Sequence, residues 1–123
     1  MLGSSRGGTT ETWQWSNGTL TADGTEQALL DTDDFRWTVL LYVNVDNMQG
    51  GDTIVFRTYI RMSSGGAWVL VDLDTYTGAD GGLVGGEVMA DEGASISPYG
   101  VKITFEQSAG VNRDFDWVLI EWL

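Results

Sequence analysis

The sequence predicts an all-β fold: an antiparallel β-sandwich of eight or nine strands, with a jelly roll among its candidate topologies. Three observations lead there. Apolar side chains alternate with polar ones over long stretches, as in Trp37, Val39, Leu41, Val43 and Val45, and again in Ile54, Phe56, Thr58, Ile60 and Met62. A period of two sends side chains alternately into a core and into water. Glycine is abundant (17) while proline occurs once, at Pro98, a balance that suits many tight turns. Turn signals recur between the apolar stretches at the spacing of a sandwich or barrel.

Taken in order, residues 1–8 are small and polar and read as a flexible N-terminal arm. Residues 9–123 read as a single sandwich domain, long enough to build a core without disulfides. Thr10 to Trp15 alternates, with Trp13 and Trp15 on one face. Asn17-Gly18 then reads as a two-residue hairpin turn, and Thr19 to Ala22 as the return strand. Asp23-Gly24 marks another turn, and Glu26 to Leu30 is a short strand or a helical turn. A long strand spans about Phe35 to Val45, a second Thr53 to Met62, and a third Ala67 to Tyr76. The connections are Asp46 to Asp52 and Ser63-Ser64-Gly65-Gly66. Beyond the Gly-rich segment from Thr77 to Gly86, a weak strand lies near Glu87 to Ala90. Tyr99 to Gln107 and Asp116 to Trp122 complete the series. The expected core is Trp37, Val39, Leu41, Val43, Phe56, Ile60, Val101, Ile103 and Phe105.

The final strand is apolar on both sides. Phe115, Trp117, Leu119 and Leu123 share one face, and Val118, Ile120 and Trp122 share the other. Either the strand is central and covered twice by its own domain, or one face meets another subunit. Trp117, Leu119 and Trp122 are the candidate interface residues.

Composition narrows the chemistry. With no cysteine and no histidine, thiol catalysis, serine triads and zincin-type sites are excluded. A carboxylate pair is the catalytic route that remains. Eighteen acidic residues face six basic ones, for a net charge of −12. That sign opposes nucleic-acid binding, which is dominated by phosphate contacts. Twelve of the acids are Asp, and Lys102 is the single lysine, a pattern suited to a high-salt cytoplasm. At molar salt the Debye length falls to about 3 Å and self-repulsion is screened. The start of the chain lacks the apolar stretch of a secretory signal, and no apolar run approaches the ~20 residues of a membrane span. The expectation is assembly in the cytoplasm without a membrane partner.

Other constellations have plainer readings beside them. Asp72 and Asp74 share a strand face and could hold Ca²⁺, with Asp80 nearby in sequence, but no EF-hand spacing is present and a solvated acidic face explains them. Trp13, Trp15 and Trp68 could stack on sugars, or serve core and interface packing. Gly81 to Gly86 lacks the ending of a phosphate loop. Asn17-Gly18-Thr19 is a formal glycosylation sequon in a turn-like setting. No cofactor and no metal are expected.

Three segments also carry a family likeness: Val43 to Arg57, Thr75 to Ala79, and Tyr99 to Gly110. They resemble small β-sandwich virion structural proteins of tailed viruses, especially viruses of haloarchaea. The resemblance implies a non-enzymatic virion subunit, a capsid decoration or other surface protein of a virus of a halophilic archaeon. Its implied partners are other virion proteins, the major capsid protein foremost, and further copies of itself. It brings no catalytic residues with it. The alternative is a carbohydrate-binding or host-attachment module built on exposed Trp residues.

The charge reading makes its own prediction. The melting temperature should rise as salt increases from about 0.1 M to molar, with nucleic-acid binding undetectable throughout. A flat or falling melting temperature in thermal scans would remove the high-salt argument.

Overall fold

The computed structural model describes residues 13–78, 88–92 and 97–123, and these residues are all-β. The strands are β1 (Trp13–Thr21), β2 (Gln27–Thr32), β3 (Thr38–Asn44), β4 (Asp52–Arg61), β5 (Trp68–Gly78), β6 (Val88–Glu92), β7 (Val101–Ala109) and β8 (Asp114–Trp122). They form two four-stranded sheets, ordered β1-β8-β3-β6 and β2-β7-β4-β5. Every pairing is antiparallel. The pairs β1/β8, β2/β7, β3/β6 and β4/β5 nest like one long hairpin. Winding that hairpin sets β8 beside β3 and β7 beside β4, which is the order of a jelly roll. The expected arm at residues 1–8, Asp80 and the Gly81 to Gly86 segment lie outside the described residues.

Alternation builds the core as the sequence predicts. Val39, Leu41 and Val43 of β3 and Phe115 and Leu119 of β8 face Ile54 and Phe56 of β4 and Val101, Ile103 and Phe105 of β7. A chain of aromatic contacts ties the layers together. Tyr76 meets Phe56 at 6.0 Å, Phe56 meets Phe105 at 5.3 Å, and Phe105 reaches Phe115 in the other sheet at 4.8 Å. These tilted and edge-on geometries are the favoured ones for aromatic pairs.

Three expectations are corrected. Asn17-Gly18 is no turn: both residues lie inside β1, which runs unbroken from Trp13 to Thr21 along β8. A two-residue hairpin turn of this type needs positive φ, and Gly18 is not among the glycines that have it. Gly18 faces Trp117 across the pair, where an added Cβ would stand 3.2 Å from the indole. Its missing side chain makes room for the ring. Trp37 is not in the core but 42 % exposed. Arg36 turns inward instead, and the chain bends at Trp37 before β3 begins, which breaks the alternation. Trp37 donates its backbone N–H to the Trp122 carbonyl at 2.8 Å and sets its ring edge-on to Phe35. Ile60, near the end of β4, is only half-buried.

Buried ion pairs sit at both ends of β8. At one end Arg36 Nε donates to Glu121 Oε1 at 2.7 Å, both side chains being almost fully buried. Gln14 donates to the second Glu121 oxygen at 3.4 Å. At the other end the buried Asp52 carboxylate accepts from the backbone N–H of Gln49 at 2.8 Å and of Val111 at 3.2 Å, and from Arg113 Nε. Gly110, at φ +93°, packs so closely on Asp52 that any side chain there would collide with it. Gln107 completes this end, donating to the carbonyls of Ala109 and Val111 and accepting from the Arg113 N–H. Asp52 therefore fastens the β3–β4 and β7–β8 connections to each other.

Burial alone would raise the Asp52 pKa, but the hydrogen bonds from Arg113 and from the Gln49 and Val111 backbone outweigh it and hold the carboxyl below its ordinary range. A carboxyl depressed in the folded state stabilises above its unfolded value, and that contribution is lost as pH falls through the folded value. Stability should therefore decline below about pH 4. Asp52→Ala should cost about 2–4 kcal/mol by urea denaturation, since Arg113 is left partly buried without its anion. An unchanged midpoint would show that the two connections hold without it.

Candidate functional site

The two sheets present very different outer faces. On the β2-β7-β4-β5 sheet, Arg57, Tyr59 and Arg61 of β4 point outward because Ile54, Phe56 and Thr58 point in. Arg57 pairs with Glu106 at 2.7 Å and lies 3.7 Å from Glu26. Glu26 also accepts from the hydroxyls of Tyr59 at 2.5 Å and Thr104 at 2.6 Å. Arg61 pairs with Asp33 and lies over the Trp68 ring, 4.0 Å from its centroid. Lys102 sits 5.4 Å from the Tyr59 ring centre. The hydrogen bonds from Thr104 and Tyr59 hold Glu26 below its ordinary pKa, and burial together with Glu26 raises that of Tyr59. The face is a fixed ionic network whose central carboxylate favours its charged form.

The outer face of the β1-β8-β3-β6 sheet is the opposite. Pairing registers place its side chains in rows across β1, β8 and β3. The first row is Trp13, Trp122 and Thr38; the second is Trp15, Ile120 and Leu40; the third is Asn17, Val118 and Tyr42. None of these nine residues is charged, in a chain whose net charge is −12. Trp13 stacks on Trp122 with centroids 4.6 Å apart. Trp15 is 69 % exposed, and Tyr42 and Val118 are also exposed. On the fourth strand, β6, the register sets Glu92 beside Leu40 of the second row, and along β8 charge returns beyond the third row. There Thr19 donates to Asp116 at 2.6 Å and Thr21 to Asp114 at 2.7 Å. An open depression of about 460 Å³, lined by Asn17, Thr19, Tyr42, Asn44, Asp116 and Val118, spans this boundary. Aromatic enrichment with loss of charge is the composition of an interface centre.

The three candidate interface residues separate. β8 is central in its sheet, between β1 and β3, yet only its odd-numbered face enters the core. Leu119, at 2 % exposure, is a core residue and cannot meet a partner. Trp117 also turns inward, partly buried against the core beneath Gly18. Trp122 alone lies on the outer face, half-buried in its stack with Trp13. The rest of the surface comes from Trp13, Trp15, Leu40, Tyr42, Val118 and Ile120. Of these, Leu40 and Tyr42 escaped the sequence reading, although they are the even positions of a strand whose odd positions were assigned to the core.

The other constellations do not converge. Asp72 and Asp74 lie on β5, the edge strand of its sheet, opposite Thr58 and Phe56. Among the described residues no three acidic side chains come together as metal ligands. Trp68 is on the opposite sheet from Trp13 and Trp15, so the three form no common platform. Asn17, the sequon residue, is exposed in the third row of the uncharged face.

No protein-family model matches the chain, and no curated protein matches it. Among solved structures, one similar chain comes from the Bacillus endospore appendages, described as a novel family of disulfide-linked pili. It is 16 % identical, with 99 % of this chain and 97 % of that one covered and a TM-score of 0.46. The present chain contains no cysteine.

Core and face should respond differently to truncation. Leu119→Ala should cost about 2–5 kcal/mol through the cavity it leaves. Trp15→Ser should stay within about 0.5 kcal/mol of the parent. Denaturant midpoints for both variants check the assignment, and equal losses would contradict it.

Proposed function

We propose that this chain is a non-enzymatic structural subunit of a virus particle, a capsid decoration or other surface protein of a virus of a halophilic archaeon. The observation that carries the reading is the aromatic outer face of the β1-β8-β3-β6 sheet, where three rows across β1, β8 and β3 carry no charge. It is an apolar surface on a protein that is otherwise strongly acidic, and such patches mark sites of association. The resemblance of Val43 to Arg57, Thr75 to Ala79 and Tyr99 to Gly110 to small virion proteins supports a place in the particle. The excess of Asp over Lys supports the halophilic host. In this reading the chain is made in the host cytoplasm, and its partners are other virion proteins, above all the major capsid protein. Its mechanism is burial of the face at a contact that symmetry repeats many times.

A second reading has one observation in its favour. Trp15 offers an open ring on the same face as the 460 Å³ depression, which would suit stacking on a sugar. Trp13 and Trp122 weaken it, because they spend their faces on each other.

Incorporation into particles decides between them. Trp15→Glu and Val118→Lys should fold normally and fall at least tenfold in particle incorporation, read by the protein content of purified virions. Normal incorporation of both would remove this face from assembly. Loss of glycan binding with incorporation intact would favour the sugar-binding module.

A further inference from the structure

We infer that the depression beside Tyr42 is a binding site for a neutral sugar ring, with Tyr42 as its stacking wall and Asn17, Asn44 and Asp116 as its hydrogen-bond partners. The site is a function additional to the subunit reading and does not depend on it. Side-chain size explains the hollow. Beyond the row of Asn17, Val118 and Tyr42, the paired residues Thr19 and Asp116 are short. Asn44, also short, follows Tyr42 two positions along the same face of β3. Short side chains beside a tall ring leave the open space of about 460 Å³. Trp15, one row away, does not line it.

The polar groups are held in place before any ligand arrives. Thr19 Oγ1 donates to Asp116 Oδ1 at 2.6 Å and steadies the carboxylate. The backbone N–H of Asp46 donates to Asn44 Oδ1 at 2.8 Å, which fixes the amide and leaves its NH2 to donate. The depression thus has a donor in Asn44, an acceptor in Asp116, and both kinds in Asn17. Groups already positioned lose little freedom when they bind.

That set selects the ligand. The face of an aromatic ring is electron-rich and attracts C–H bonds, which line the flat side of a pyranose. Its hydroxyls each donate and accept, and so match the amides and the carboxylate together. Other classes leave groups unmatched. An anion would meet Asp116 with no cation among the lining residues. An apolar chain would strip water from Asn17, Asn44 and Asp116 without replacing their hydrogen bonds. A cation would pair with Asp116 but face the NH2 of Asn44, a donor where it needs an acceptor. Because the hollow is open, affinity for one ring is weak, about millimolar.

Amide NMR titration of the isotope-labelled full chain tests the inference, with methyl glycosides of glucose, mannose, galactose and N-acetylglucosamine as probes. At least one glycoside should shift the side-chain amides of Asn17 and Asn44 and the backbone amide of Val118. Molar KCl should leave that binding unchanged, since neutral hydroxyls owe nothing to a screened field. Tyr42→Ala should weaken it at least tenfold and Tyr42→Phe much less. Asn44→Asp keeps the acceptor for Asp46 and removes the donor, so it should also lose at least tenfold while folding normally. Trp15→Ser should bind as the parent does. No shift at these residues with any of the glycosides would overturn the site. Shifts that centre on Trp15 and vanish in Trp15→Ser would overturn its placement. The same shifts produced by tetramethylammonium and abolished by molar KCl would overturn the ligand class. Glycoside binding is read on the isolated chain and incorporation on purified virions, so the failure of either leaves the other standing.

Discussion

The Arg36–Glu121 and Asp52–Arg113 ion pairs fix the two ends of β8, and most of the molecule depends on where β8 lies. Its odd-numbered side chains, Phe115, Trp117, Leu119 and Glu121, face the other sheet, while Val118, Ile120 and Trp122 form the middle of the aromatic outer face, with Asp114 and Asp116 beyond them. A slip of one residue would exchange the two sets. Phe115 and Leu119 would then move to water, and Val118, Ile120 and Trp122 would fill the core almost as well. Hydrophobicity discriminates weakly between the two faces over Trp117 to Trp122, although a slip would also carry Asp114 and Asp116 inward. The buried carboxylate of Glu121 discriminates strongly, because it has a cation only in the observed register. Six basic residues in the whole chain make such assignments few and specific.

Much of this architecture is legible in the sequence, and the exceptions have physical causes. Alternation identified Val39, Leu41, Val43, Phe56, Val101, Ile103 and Phe105 as core, since each lies mid-strand where the opposing sheet covers it. It failed at Trp37, where a bend ends the period. Asn17-Gly18 carries the chemistry of a turn, but the reason for Gly18 is a tryptophan about a hundred residues further on. No local pattern contains that information. Strand order is likewise non-local: nothing in β1 announces that it pairs with β8. The candidate surface was half legible. The apolar excess of the last strand pointed to it, but which face carried it depended on the inward turn of Glu121. Glu121 shares its parity with Phe115 and Leu119, and that was the available signal.

The difference between the outer faces follows from how the chain uses its cations. Arg57, Arg61 and Lys102 all lie on the β2-β7-β4-β5 sheet, where they are matched by Glu26, Glu106 and Asp33 or stacked on Trp68 and Tyr59. That surface satisfies itself internally. On the opposite surface the three rows across β1, β8 and β3 hold neither sign of charge, and Glu92 of β6 borders them at Leu40. One sandwich thus carries a self-contained face and an unfinished one, on opposite sides of a single core.

The edge strand β5 carries a related consequence. Val69, Leu70, Val71 and Leu73 are all exposed along it, a sequence that invites further strands to add on and polymerise. Two safeguards stand against that. Asp72 and Asp74 repel an incoming acidic chain, and a bulge opposite Thr58 and Tyr59 distorts the ladder. They depend on the solvent in different ways. Concentrated salt weakens the electrostatic safeguard within a few ångströms of each carboxylate. The bulge is a matter of backbone shape and is indifferent to ions. In concentrated salt, the extra residue at Val71 is the safeguard that remains against strand addition along this edge.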